Sequence, residues 1–237
     1  MQDVSCRYMR WIAWDFDGTL ATRDGMWSGA LVEVAEQRGY RVDRETLAQH
    51  LMTGFPWHTP EVVRPCNEHP ETWWGRLQGL FAVAYEKGGG IPASASATLA
   101  AQVRDVYIDS SRWSVFDDVT PALTRLASAG WHNLILSNHI PELRDLVAEL
   151  GLADHFEAVL SSAETGAEKP NPAAFRHARR HIGSADELWM VGDSWEADVC
   201  GARNVGINAI LVRDSNPDST HTCELLTDIP RLLEESS

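Results

Sequence analysis

The chain alternates between short apolar runs and amphipathic segments over most of its length. Each apolar run is followed by polar residues, which is typical of a buried strand that leads into a loop. The runs predict strands over 9–14, 131–136, 156–160, 188–191 and 208–212.

The segments between these strands have helical periodicity, with proline near the start and glycine after the end of several of them. They predict helices over 121–129, 141–150, 172–182 and 195–204. Alternation of strand and helix indicates a parallel sheet with right-handed crossovers. In such a sheet the ligand binds outside the carboxyl ends of the strands, where the polar clusters of this chain fall.

Residues 21–115 depart from this alternation, because no apolar strand run interrupts their helical segments. Those predicted helices cover 28–38, 44–52, 71–86 and 94–108, and the stretch 53–70, rich in Pro and His, indicates a long loop. We therefore predict an α/β fold, a doubly wound parallel sheet with an inserted all-helical domain. The expected division is a core of 1–20 and 116–237 and an insertion of 21–115.

The composition of the chain limits the classes of partner that it is expected to bind. The 237 residues carry a formal net charge of −14 and a sequence pI near 5.0, which disfavours nucleic acid and anionic membrane surfaces as partners. No apolar run of transmembrane length and no signal-peptide layout occurs. The four cysteines form no CxxC pair, so we expect reduced thiols in a cytoplasmic protein, a monomer or a homodimer.

Two carboxylates end the first predicted strand, in the sequence Asp15-Phe16-Asp17-Gly18-Thr19. Residues i and i+2 of an extended segment point the same way, so Asp15 and Asp17 suit a hard divalent cation such as Mg²⁺. Gly18 lets the chain turn sharply. An ordinary polar turn is the alternative interpretation of so short a string.

A second acidic cluster, Gly192-Asp193-Ser194 with Asp198 downstream, follows the fourth strand. It also fits a helix N-terminus capped by Asp193 or Ser194, and both interpretations can hold together. Acidic clusters at neighbouring strand ends repel each other unless a cation lies between them, which favours a metal site.

Lys169, one of only two lysines, lies just before the helix predicted over 172–182. Its ammonium group could hold a phosphate as a point charge, or it could be a solvated surface lysine. Ser137 and Asn138, after the second strand, offer a hydroxyl and backbone N–H groups to an anion, or they cap the following helix.

The order of these clusters is more specific than any one of them. DxDGT, Ser-Asn after a strand, Lys-Pro, and GDxxxxD after a strand resemble the four motifs of the haloacid dehalogenase-like (HAD) superfamily, over about residues 9–20 and 116–215. Asp15 and Ser137 are 122 residues apart, whereas Ser137 and Lys169 are 32 apart. This spacing is similar to members with a helical C1-type cap after the first motif.

The resemblance implies a Mg²⁺-dependent phosphomonoesterase that acts on a small phosphorylated metabolite through an aspartyl phosphate. It implies that Asp15 is the nucleophile and Asp17 the general acid and base. It also implies that Asp15, the Asp17 backbone carbonyl and Asp193 hold Mg²⁺, with Asp198 and Gly18 in support. The residues expected to steady the phosphoryl group are Thr19, Ser137, Asn138 and Lys169.

Other chemistries of the superfamily remain as alternatives. Asp17 disfavours a dehalogenase, whose leaving halide needs no proton, and it counts against phosphonate cleavage, for which Lys87 is the only candidate cap lysine. A sugar-phosphate mutase retains both carboxylates and stays open. So does a non-catalytic binding or regulatory protein on this fold, although the intact motif residues argue against it.

The long loop of the insertion supplies candidates for substrate specificity, because loops often carry it. These candidates are Trp57, His58 and Arg64. Arg64 could meet an anionic tail of the substrate, and an ordinary surface arginine is the alternative.

Overall fold

The strands that the apolar runs predict form one sheet in a computed structural model, which describes residues 9–235. In chain order the strands are β1 (Arg10–Trp14), β2 (Ala21–Arg23), β3 (Trp113–Val115), β4 (Trp131–Ser137), β5 (Ala158–Ser161), β6 (Glu187–Gly192), β7 (Asn208–Val212) and β8 (Thr222–Cys223). Six of them pair in parallel in the order β5-β4-β1-β6-β7-β8. This confirms the predicted α/β class.

Eleven α-helices occur in the described residues, five of them before β3 and six after it. They are α1 (Met26–Gln37), α2 (Arg44–Gln49), α3 (Pro70–Val83), α4 (Ala93–Ala100), α5 (Val103–Tyr107), α6 (Val119–Ser128), α7 (Leu143–Glu149), α8 (Ser162–Thr165), α9 (Pro172–Ile182), α10 (Gly201–Arg203) and α11 (Ile229–Glu235). Two π-helical turns, Ala84–Gly88 and Trp195–Cys200, extend α3 and precede α10. The single helix predicted over 94–108 is two helices, since turn residues separate α4 from α5.

Strand β1 lies at the centre of the sheet and is apolar on both faces. Ile12 and Trp14 belong to the larger hydrophobic cluster, whereas Trp11 and Ala13 belong to the cluster on the opposite face. Alternate residues of a strand point to opposite faces, so a run without polar residues predicts burial on both. Strand β4 pairs with one edge of β1 and β6 with the other. The chain runs outward through β4 and β5 and then returns to β6, which creates a switch point at the carboxyl end of β1.

An antiparallel ribbon of β2 and β3 joins the sheet to helices α1–α5, and the sequence does not predict it. Its register pairs Ala21 with Val115 and Arg23 with Trp113. Strands of three residues are too short to show a period, which explains the omission. We call residues 24–112, which lie between β2 and β3, the inserted segment.

Aromatic rings fill the interior of the inserted segment. Trp27 stacks on Tyr107 with ring centroids 3.7 Å apart and also stacks on Phe81 at 5.7 Å. Phe55 stacks on Trp57 at 4.6 Å. Two of the ten tryptophans of the chain, Trp27 and Trp57, are among these rings.

The loop 59–67 of the inserted segment is tied to residues just before Lys169. The Arg64 N–H donates to the Gly166 carbonyl at 2.7 Å, and the Asn67 N–H donates to the Glu164 carbonyl at 2.7 Å. Gly166 has φ +74°, and a Cβ there would lie 2.1 Å from the Arg64 carbonyl oxygen. The close approach of the two main chains therefore requires glycine at this position.

Within residues 9–235, none of the helices combines the length and the apolar character that crossing a bilayer requires. Cys66, Cys200 and Cys223 are free thiols. Cys6, also predicted to be reduced, lies outside the described residues.

Candidate active site

Three acidic side chains converge at the carboxyl ends of β1 and β6. Asp15 follows β1, and its N–H donates to the Val191 carbonyl at 2.8 Å, which continues the ladder between the two strands. One carboxylate oxygen from each of Asp15, Asp193 and Asp198 lies within 4.8 Å of the others. The two acidic clusters that the sequence predicts at separate strand ends are thus one cluster.

Lys169 forms hydrogen-bonded ion pairs with two carboxylates of this cluster. Its Nζ donates to Asp15 Oδ1 at 2.8 Å and to Asp198 Oδ1 at 2.5 Å. Burial by itself lowers the pKa of Lys169, but the carboxylates of Asp15 and Asp198 outweigh this effect and raise the pKa above its ordinary value. Because Lys169 is only 2% exposed, its alternative interpretation as a solvated lysine does not hold.

One ammonium group does not balance the two buried carboxylates of Asp15 and Asp198 and the half-buried carboxylate of Asp193. Burial, followed by the charges of Asp15 and Asp198, raises the pKa of Asp193 to about 7. Burial likewise raises the pKa of Asp198, with Lys169 opposing and Asp15 reinforcing the shift. Carboxylates that are held together in this way form a site for a cation, whose charge would favour their ionised forms.

The turn after β1 brings its backbone against this cluster. Gly18 has φ +72°, and a Cβ on it would lie 2.1 Å from Asp193 Oδ2. The Thr19 hydroxyl, which the sequence expects at the phosphoryl group, donates to Asp193 Oδ1 at 3.3 Å. Thr19 therefore orients a carboxylate of the cluster.

Ser194 caps the helical turn that follows β6 by accepting from the Ala197 N–H at 3.1 Å, so the capping interpretation holds as well.

Ser137 and Asn138, at the end of β4, make different contacts. The Ser137 hydroxyl is buried and has no hydrogen-bond partner within residues 9–235. Asn138 bonds to both main-chain groups of Lys169: its Nδ2 donates to the carbonyl at 2.8 Å, and its Oδ1 accepts from the N–H at 2.7 Å. Asn138 thus fixes the backbone that carries the lysine, while Ser137 keeps a free polar group.

A cleft of about 320 Å³ opens over these groups. Its core side is lined by Asp15, Asp17, Ser137, Asn138, Lys169, Ser194 and Ala197, and its other side by Met26, Trp27 and Trp57 of the inserted segment. A larger cavity of about 490 Å³ lies at the amino ends of β6 and β7, where it meets none of the predicted site residues.

The three candidates from the long loop are not equivalent. Trp57 lines the cleft over Asp15. His58 lines a neighbouring cavity, and its Nδ1 accepts from the Phe55 N–H at 3.3 Å. Arg64 lines neither cavity, since its guanidinium donates to the Val62 carbonyl and the Thr59 hydroxyl, both at 3.1 Å.

His139 is a residue of the site that the sequence analysis did not single out. It is 2% exposed, and its Nε2 lies 3.3 Å from Asp17 Oδ1. A usable signal was its position directly after Ser137 and Asn138, at the end of a buried strand. Met26 and Trp27 were also missed, because nothing in the local pattern shows that α1 begins over the cleft.

The chain is similar to known proteins over most of its length. Residues 9–206 match the family model for a haloacid dehalogenase-like hydrolase. The ribulose-1,5-bisphosphate 5-phosphatase of Halopiger xanaduensis is 30% identical over 198 residues, which cover 82% of this chain and 80% of that protein. The phosphoserine phosphatase of Thermus thermophilus is 34% identical over 163 residues, which cover 66% of this chain and 64% of that protein.

A solved structure shows the same fold. The HAD-hydrolase YfnB from Bacillus subtilis, bound to magnesium, superposes with a TM-score of 0.75 at 18% identity. The match covers 96% of this chain and all of that one.

Proposed function

The chain belongs to the haloacid dehalogenase-like hydrolase family, and we propose that it is a Mg²⁺-dependent phosphomonoesterase acting on a small phosphorylated metabolite. The observation that carries the proposal is the position of Asp15. Its carboxylate borders the cleft, bonds to Lys169 at 2.8 Å and belongs to the acidic cluster. A nucleophile, a cation for the phosphoryl group and a candidate metal site thus share one place.

Asp15 attacks phosphorus in line, and the bond from phosphorus to the ester oxygen breaks. Asp17, which also lines the cleft, gives its proton to the departing oxygen. Water then attacks the aspartyl phosphate on Asp15, Asp17 takes a proton from that water, and inorganic phosphate leaves. Both carboxylates return to their starting states, so the cycle balances.

Lys169 offsets negative charge on the phosphoryl oxygens throughout the cycle, because its ammonium group is buried beside Asp15. Asn138 holds the lysine backbone in place. The unpartnered hydroxyl of Ser137 is available to donate to a phosphoryl oxygen.

The acidic cluster fits Mg²⁺, since its three hard oxygen donors lie within 4.8 Å of one another and a Cβ on Gly18 would displace the one from Asp193. Asp15, the Asp17 carbonyl and Asp193 would hold the ion, and Asp198 would support them through Lys169. When bound, it neutralises charge on the phosphoryl group.

We further propose that residues 21–115 act as a cap over the core, 1–20 and 116–237. Met26, Trp27 and Trp57 support this, because they form the wall of the cleft that faces the core carboxylates. A closed cap excludes bulk water from the phosphoryl group and contacts the rest of the substrate. We place the reaction in the cytoplasm, where free thiols such as Cys66 stay reduced.

The proposal is tested by hydrolysis of p-nitrophenyl phosphate in Mg²⁺ and in EDTA. We expect turnover that needs Mg²⁺ and that falls at least about 1,000-fold in Asp15→Asn, since the nucleophile is lost. Asp154→Asn, which makes the same charge change at an exposed aspartate, should match the parent protein. An Asp15→Asn variant as active as the parent would refute the nucleophile.

A second assay, with a hexose phosphate as the substrate, distinguishes a phosphatase from a sugar-phosphate mutase. Inorganic phosphate release from a hexose phosphate supports the phosphatase. Transfer of phosphate between two hydroxyls of that sugar, without release, supports the mutase.

A further inference from the structure

A second cavity of about 230 Å³, within the inserted segment, adjoins the cleft over Asp15. Met26, Trp27 and Trp57 line both spaces. A group that is esterified to a phosphate at Asp15 would therefore extend across these three side chains.

Charge is confined to the core side of the combined space. In the cleft, the charged side chains are Asp15, Asp17 and Lys169, and all three come from the core. The walls of the second cavity add the apolar residues Leu51, Met52 and Phe55, together with Ser28, whose hydroxyl donates to the Gly25 carbonyl at 2.8 Å. The phosphate group of a ligand would thus contact charged side chains, and the opposite end of the ligand would contact mainly apolar side chains.

His58 is the one titratable residue among those that line the second cavity. Its Nδ1 accepts a hydrogen bond from the Phe55 N–H at 3.3 Å, which requires the lone pair of a neutral imidazole. The second cavity is therefore uncharged in this arrangement.

No arginine is among the residues that line either space. Arg44, which lies beside Gly25 at the edge of the second cavity, donates to Asp24 Oδ1 at 3.1 Å, and Arg64 donates to the Val62 carbonyl and the Thr59 hydroxyl. A carboxylate or second phosphate carried into the cavity would lose water without gaining a cation, which is unfavourable.

The aromatic walls are held in place by further rings. Trp27 lies nearly parallel to Tyr107, with 9° between their planes, and Trp57 lies nearly parallel to Phe55, with 7° between them. Faces fixed in this way bind a flat apolar group at little entropic cost.

We infer that the ester accepted by this site has an alcohol part that is uncharged and apolar and that contains a planar ring. The inference rests on the proposed phosphatase function and narrows it. Phosphoserine, for which the relative from Thermus thermophilus is named, carries a carboxylate that this cavity does not match.

Three monophosphates of alkyl alcohols test the inference without large differences in leaving group: benzyl phosphate, 4-carboxybenzyl phosphate and phosphoglycolate. We expect kcat/KM for benzyl phosphate to exceed that for each of the others at least about tenfold. Equal or better use of either carboxylate-bearing ester by the parent protein would overturn the inference.

A charge placed at the rim tests the location. Met52 lines the second cavity and is 72% exposed, so Met52→Arg adds a cation there without removing a buried side chain. We expect it to raise the ratio of 4-carboxybenzyl to benzyl phosphate turnover at least about fivefold. Val62→Arg is the matched control, since Val62 is 47% exposed and lines neither space. An equal change of this ratio in both variants would count against the cavity.

A binding measurement separates this inference from the proposed function. Benzylphosphonate and phosphonoacetate cannot be hydrolysed, and tryptophan fluorescence reports their dissociation constants in Mg²⁺. Tighter binding of benzylphosphonate, by at least about tenfold, supports the apolar site even if no phosphate ester is turned over. Equal or tighter binding of phosphonoacetate overturns it even if the protein is a phosphatase.

Discussion

His139 Nε2 lies 3.3 Å from Asp17 Oδ1 in the interior of the protein. Within residues 9–235, no other hydrogen-bond partner exists for either nitrogen of the His139 imidazole or for Asp17 Oδ1. Rings of Phe16, Tyr107 and Trp113 surround the histidine, so it cannot move away from Asp17. This contact fixes the position of the carboxylate to which we assign proton transfer.

We expect His139→Phe to impair that proton transfer selectively, because the variant keeps a ring but removes both nitrogens. Turnover of ethyl phosphate, whose leaving group needs a proton, should fall at least about tenfold. Turnover of p-nitrophenyl phosphate, whose leaving group is stable as an anion, should fall less than about threefold. Partial recovery in His139→Gln would support a polar contact, whereas equal losses for the two esters would indicate a merely structural role.

The two lysines of the chain form a matched pair for mutation. Lys169→Met removes the cation beside Asp15 and should lower kcat/KM for p-nitrophenyl phosphate at least about 100-fold. Lys87→Met makes the same change at an exposed site and should leave kcat/KM unchanged. Comparable activity in the two variants would remove Lys169 from the mechanism.

Stability without metal should fall as the pH rises toward neutrality. The pKa of Asp193 is raised to about 7, and that of Asp198 is raised too, so the folded chain binds more protons than the unfolded one between about pH 4 and pH 7. This contribution to the free energy of unfolding is therefore lost as pH increases through that window. In EDTA, we expect a lower Tm at pH 7.5 than at pH 5.5.

Two controls isolate the carboxylates in that measurement. Asp193→Asn should lose most of the Tm difference between the two pH values, and Asp154→Asn, changed at an exposed position, should keep it. Mg²⁺ should raise the Tm of the parent more at pH 7.5 than at pH 5.5, because it favours the ionised carboxylates. A parent Tm in EDTA that increases between these pH values, relative to Asp193→Asn, would contradict the expectation.

Alanine substitutions at two glycines with similar backbone conformation distinguish the effect of backbone strain from an effect on the metal site. Gly18 and Gly39 have φ +72° and +80°, but only a Cβ on Gly18 meets a neighbour, Asp193 Oδ2 at 2.1 Å. Alanine at either position should cost about 1 kcal/mol of stability from the left-handed backbone. Gly18→Ala alone should raise the Mg²⁺ concentration for half-maximal activity at least about tenfold, since it displaces a proposed ligand. The same metal dependence in Gly39→Ala would show that strain, not the carboxylate, is responsible.

The local pattern of apolar residues predicted five of the six strands of the parallel sheet and missed β8, which has only two residues. The runs 11–14, 134–136 and 188–191, which precede Asp15, Ser137 and Asp193, are apolar because both faces of the central strands are covered, and such runs can be identified locally. The parallel topology then requires those three strand ends to lie along one edge. The order of the four motifs added the family, which the comparison over residues 9–206 shows.

Which side chains meet depends on how distant elements pack against one another. The burial of Lys169 depends on Asn138, which lies 31 positions earlier and fixes its backbone. The apolar wall of Trp27 and Trp57 depends on how the inserted segment lies over the core, and Arg64 faces away for the same reason. Periodicity reports the face that a residue occupies on its own element, whereas these contacts depend on long-range packing between elements that no local pattern encodes.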